Sequence, residues 1–157
     1  MAVDYFLKIE GVEGEAASQQ HKGEIEIDSF SWGESRTGGA SGGGGGGKVQ
    51  MQDFHFVMKT NKSSPKLFLA CATGEHFKKA LLSLRKAGET QGLEFLKLTF
   101  TDLLVSSFQL AGDGEVPLEQ ISLSFAKIEW EYTPPSASGG AGAKVTAGFN
   151  VKTGQPA

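Results

Sequence analysis

The chain is 157 residues long, 39% hydrophobic and 21% charged, with a formal charge of −3. These values fit one soluble globular domain and exclude global disorder and a dominant phosphate-binding surface, so no nucleic-acid partner is expected. No run of about 18 apolar residues occurs, and the N-terminus starts in a strand-like pattern with no basic and apolar leader, so neither membrane insertion nor a cleavable export signal is expected.

Tyr5, Leu7 and Ile9 alternate with Phe6, Lys8 and Glu10, the period of two that predicts a strand over residues 3–10. From Gly23 the alternation resumes with Ile25 and Ile27, yet Phe30 and Trp32 fall on the opposite parity. One strand face cannot hold both sets. Either a bulge inserts a residue near Asp28 and Ser29, or the strand leaves its own core and buries its other face elsewhere. Between Glu34 and Lys48 lies Gly38-Gly39-Ala40-Ser41 followed by glycine from 42 to 47. Such a tract buries nothing and is entropically costly to order, so it reads as a flexible loop. A phosphate-binding glycine loop needs a helix after it. Here Gln52, Phe54, Phe56 and Met58 alternate with Met51, Asp53, His55 and Val57, which makes the tract a long hairpin connection.

Ser64-Pro65 is a helix start and Gly74 a stop, so residues 66–73 should be helical. Leu67 to Ala72 leaves almost no polar face, which predicts a short helix buried on several sides. Cys71, the one cysteine, excludes an internal disulfide and reads as a small apolar side chain in a protein made in a reducing cytosol. Residues 77–86 hold helix formers between two tight glycine brackets, and helix and strand both remain open there. Leu93 to Leu110 is strand-like, with Leu96, Leu98, Phe100, Leu104 and Phe108 on one parity and a bend near Asp102. Gly112-Asp113-Gly114 marks a turn before a strand over 118–133, in which Ile121, Leu123 and Phe125 give way to Ile128, Trp130 and Tyr132 in a second change of parity. That change fits either a barrel bend or a strand that covers the monomer core at one end and meets a neighbour at the other. A loose loop over 134–142 precedes clean alternation of Val145, Ala147, Phe149 and Val151. The expected fold is mainly β, an antiparallel barrel of two sheets with one short α-helix, closed so as to hide its edges.

Three stretches carry a family likeness: His21 to Ile27 running into Ser29-Phe30-Ser31-Trp32-Gly33; Ser64 to Gly74; and Leu103 to Gln109 with Pro117 to Leu123. Together with Asp4 to Glu15 they resemble Hcp (haemolysin-coregulated) proteins along nearly the whole chain. The resemblance implies a single domain over 1–152 with an extended loop at 34–48 and a short tail at 153–157. It implies a homohexamer around a wide pore, and stacked rings that form the inner tube of a type VI secretion system. It favours a strand at 77–86. Implied partners are the spike protein, the contractile sheath and effector proteins in the lumen. The implied location is the bacterial cytoplasm, followed by secretion without a signal peptide. Ser31 becomes the lumen and cargo candidate, beside the plain reading of a polar strand residue with no partner. Glu34, Arg36, Gly38, Gly42, Gly47 and Lys48 become ring-stacking candidates, in a loop whose near-total glycine content departs from the family. Ordering such a loop costs roughly 1–2 kcal/mol per residue fixed, which implies weak stacking in solution.

No catalytic, cofactor or metal site is expected. His21, His55 and His76 are too far apart in sequence for a local metal cluster. Asp53 and His55 share a strand face without a third partner. Glu24, Glu26 and Asp28 share a face that reads as solvated or pore-facing, because neither a second carboxylate cluster nor a ligand loop accompanies them. The alternative function is a stand-alone β-barrel that binds a small ligand.

Overall fold

The computed structural model describes residues 2–38, 48–86, 93–136 and 140–157. Strand β1 (Val3–Ile9) forms where alternation places it, with Leu7 and Ile9 buried. It pairs antiparallel with β2 (Ile25–Ile27) on one side and β7 (His76–Lys86) on the other. The stretch left open between helix and strand is therefore a strand. Ala80, Leu82 and Leu84 are buried there, and packing overrides their helix propensity.

Two long strands, β8 (Glu94–Ala111) and β9 (Leu118–Tyr132), pair along their length. The first half of β9 also pairs with β6 (Phe54–Lys59), and its second half with β10 (Val145–Asn150). With β3 (Ser29–Ser31) on β6 and β11 (Gln155–Pro156) on β10, the described strands make one nine-stranded antiparallel sheet, branched at β9, and a separate two-stranded ribbon. The sheet rolls over a single core built around Leu7, Phe54, Phe56, Leu82, Phe100 and Ile121. The class matches expectation, but pairing does not close the roll: no ladder joins β2 to β6 among the described residues.

The first change of parity is a break, not a bulge. β2 pairs with β1, β3 pairs with β6, and Asp28 between them donates its N–H to the Val57 carbonyl at 2.8 Å. The chain thus leaves one edge of the roll for the other, and Phe30 enters the core from the far side, edge-on to Tyr5 at 5.1 Å.

The second change is a bend in paired strands. Asp102 takes φ 50° and sits across from the Ala126 region, where β9 changes its inward parity. This corrects the expected pattern of β8. Beyond the bend Leu103 and Val105 are buried and Leu104 is not. At Ser106 the register then slips by one residue, so two outward residues face one on β9 and Phe108 returns to the core side.

Helix α1 (Ser64–Thr73) follows Ser63 as its cap residue, one position before the expected one. It stops at Gly74, whose φ of 74° lets its N–H bond the Ala70 carbonyl at 2.9 Å. The expected burial on several sides is wrong. Leu67 and Ala70 are buried, whereas Phe68 and Leu69 are 58% and 55% exposed. The sheet already fills its own core, so α1 lies against β8 through one stripe, with Phe68 meeting Phe108 at 6.3 Å.

The Asp102 bend is fastened by a hydrogen bond with His76 Nδ1 at 2.9 Å and an ion pair with Lys152 at 3.0 Å. The His76 hydrogen bond and the Lys152 ammonium hold its carboxyl below the usual carboxylate range. A depressed carboxyl stabilises the fold above the unfolded value of 3.8 and loses that contribution as pH falls through the folded one. Asparagine also tolerates positive φ, so Asp102→Asn isolates the charge. The wild type should be the more stable at pH 7, and the gap should be smaller at about pH 2, below the unfolded value. Urea midpoints at the two pH values check this, and a gap independent of pH would refute it.

Candidate functional site

The branch of the sheet formed by β3, β6, the first half of β9 and the last third of β8 presents one outward face. Its side chains fall in straight rungs. Ser31 faces His55, His55 faces Ser122, and Ser122 faces Ser107. The next rung is Ser29, Val57, Gln120 and Gln109. Core residues Phe56, Ile121 and Phe108 occupy the intervening positions and point the other way, as strand geometry requires. The bulge at Ser106 adds one more outward hydroxyl.

These rungs line a shallow concavity of about 490 Å³. His55 Nδ1 and Ser122 Oγ share a hydrogen bond of 2.5 Å. Ser106 donates its hydroxyl to Asp53 at 2.6 Å. Asp53 and His55 are therefore engaged with different serines, and no acid orients the imidazole among the described residues. What remains is a wall of hydroxyl, amide and imidazole groups with little net charge. It can exchange hydrogen bonds with any peptide surface while gripping none strongly.

Ser31 is exposed at the rim of this concavity. Of the stacking candidates, Glu34 and Arg36 lie elsewhere, on the ribbon formed by β4 (Glu34–Arg36) and β5 (Val49–Met51), with Gly38 just after β4 and Lys48 just before β5; the glycine tract expected to be a hairpin connection lies, from residue 39 to 47, outside the described residues. Glu34, Arg36 and Lys48 are exposed and have no ion-pair partner among the described residues. Gly38 is exposed with φ 104°. Gly42 and Gly47 lie outside the described residues. Between the ribbon and the turn after β10 is a cleft of about 650 Å³ whose lining includes Glu34, Arg36, Lys48, Phe149, Val151 and Lys152.

Periodicity did not reveal a second polar centre. His21 is 5% exposed and stacks on Phe6 at 4.3 Å. Its Nδ1 meets the Glu24 carboxylate at 3.0 Å and its Nε2 meets Glu94. Arg85 covers the same Phe6 ring at 5.3 Å and bonds Gln20 and Ser18. The cluster pins the loop between β1 and β2 against β7 and β8. Its acids are engaged by imidazole and by Lys97, and no group of three metal-ligating side chains is found among the described residues.

Residues 6–132 match the family described as "Type VI secretion system effector, Hcp". The chain is 40% identical to the protein hcp1 of Pseudomonas aeruginosa, across 97% of both chains. The crystal structure of Hcp1 from Salmonella typhimurium superposes with a TM-score of 0.83 at 36% identity, covering all of both chains. A type VI secretion system effector from Yersinia pestis superposes with a TM-score of 0.80 at 32% identity, covering 94% of this chain and all of the other.

Proposed function

Because the chain belongs to the Hcp family of type VI secretion proteins, we propose that it is a structural subunit whose homohexameric rings stack into the expelled inner tube and carry effectors in the lumen. The observation that carries this reading is the polar four-stranded face with a free edge on each side. β3 pairs only with β6, and β8 beyond Leu104 pairs only with β9, among the described strands. Free edges invite pairing with another chain. Two different edges on opposite sides of one face give a heterologous contact, which closes into a ring if the rotation per subunit permits.

The neutral, hydroxyl-rich wall suits a pore through which folded cargo must pass, and Ser31 at its rim is the residue assigned to cargo contact. The protein has no catalytic role of its own. It is made in the bacterial cytoplasm and leaves with the tube; the spike protein and the contractile sheath are its partners in that step. Its interior is filled by side chains such as Phe54, Phe56 and Phe100, each at most 1% exposed, which disfavours a barrel that holds a small ligand inside.

Light scattering coupled to size exclusion should give a mass near six protomers, with annular particles in negative stain. A strict monomer would overturn the ring and revive the ligand-binding barrel. Ser31→Glu should leave that mass unchanged while reducing co-purification of a lumen cargo by at least fivefold, and unchanged co-purification would remove Ser31 from the site.

A further inference from the structure

We infer that the basic cleft beside the ribbon receives the acidic hairpin between β8 and β9 of a second copy of this chain, an axial contact that rests on the ring-stacking reading above. The hairpin tip carries Asp113 and Glu115, both exposed and without ion-pair partners among the described residues. Around them Leu110, Val116 and Leu118 are 61%, 55% and 43% exposed, so the tip is an apolar knob with two free negative charges.

The cleft is its complement. Arg36 and Lys48 line it and have no ion-pair partner among the described residues, Glu34 is an acid lining it, and Lys152 is already held by Asp102. Val49, Phe149 and Val151 supply an apolar floor. Knob and cleft cannot meet within one molecule. Val151 donates its N–H to Ala126 at 2.7 Å, which fixes the cleft floor at that level of β9. The hairpin leaves β9 at Leu118, about 25 Å away at roughly 3.3 Å per residue. The ribbon continues β3 and β6 past Phe54, which pairs with Leu123, and so extends away from the hairpin. Opposite charges at opposite ends of one sheet fit head-to-tail stacking, and the charged rim sets register more than affinity.

The test uses two variants in a Cys71→Ser background, Thr37→Cys on the ribbon and Val116→Cys on the hairpin, both exposed positions that leave the four charges intact. Rings of each are first sized by light scattering, then mixed and oxidised. The expected result is a disulfide between the two variants. It should fall at least fivefold when Arg36→Glu and Lys48→Glu are added to the ribbon partner, and return when Asp113→Lys and Glu115→Lys are added to the hairpin partner. Six-protomer rings with no mixed disulfide, or a disulfide indifferent to both reversals, would overturn the axial contact and leave the ring reading standing. Monomers would overturn the ring reading and the contact with it.

Discussion

Phe54→Ala is expected to cost about 4 kcal/mol of folding stability, a large part of the roughly 5–15 kcal/mol that holds a domain together. Phe54 is fully buried, and its ring packs on Phe100 at 4.8 Å, on Phe30 at 5.9 Å and on Phe56 at 6.0 Å. Those neighbours come from β8, β3 and β6 and are themselves packed into the core, so the cavity left by alanine has little room to collapse inward. A urea midpoint shifted to match, with the slope unchanged, is the expected result. The polar concavity lies on the other face of the same strands. Ring mass should therefore fall with stability, and a variant that loses less than about 1.5 kcal/mol would show that this core relaxes around the void.

The second large effect is expected at His21. Removing the imidazole takes a hydrogen-bonding partner from Glu24 and from Glu94, which keeps Lys97, and leaves the buried Phe6 ring without its stacking partner. Leaving a partly buried carboxylate short of a hydrogen bond costs about 1–3 kcal/mol, and with the lost ring contact the expected loss for His21→Ala is about 2–3 kcal/mol. His21→Phe keeps an aromatic face for the stack but offers no donor, so it separates the two contributions. It should recover less than half of the loss. Full recovery in thermal or urea unfolding would show that the stack, not the hydrogen bonds, holds the loop.

The strands of this fold were legible because a sheet with one buried face writes a period of two into the sequence, as at Tyr5, Leu7 and Ile9. Both changes of parity were legible as well, at Asp28 and between Phe125 and Ile128. Their causes were not, since a break and a bend leave the same trace in a list of apolar residues. Leu104 was misassigned because β8 holds two irregularities, and the second cancels the first before Phe108. The exposure of Phe68 and Leu69 escaped notice because a helix's own sequence does not say how much surface its neighbour can still cover. Of the candidate site, only Ser31 was singled out in the sequence, through its motif and the family resemblance. His55, Ser122 and Ser107 join it only by pairing across four strands, and the partners His21 and Glu94 are 73 positions apart, beyond the reach of any local pattern.

The Asp102 bend and the Ser106 bulge make the chain intolerant of length change in one place and indifferent to it a few residues on. Deleting Leu104 would turn Val105 onto the outward wall and Ser106 toward the core, because a strand side chain has only two directions to take, whereas deleting Ser106 would remove the bulge and leave Ser107 outward and Phe108 inward. A deletion at 112–115 would merely shorten a turn. Deletions among variants of this protein should therefore collect in the hairpin tip and at the bulge and be absent between Leu103 and Val105, and a deep library of single-codon deletions scored for ring formation would show that boundary.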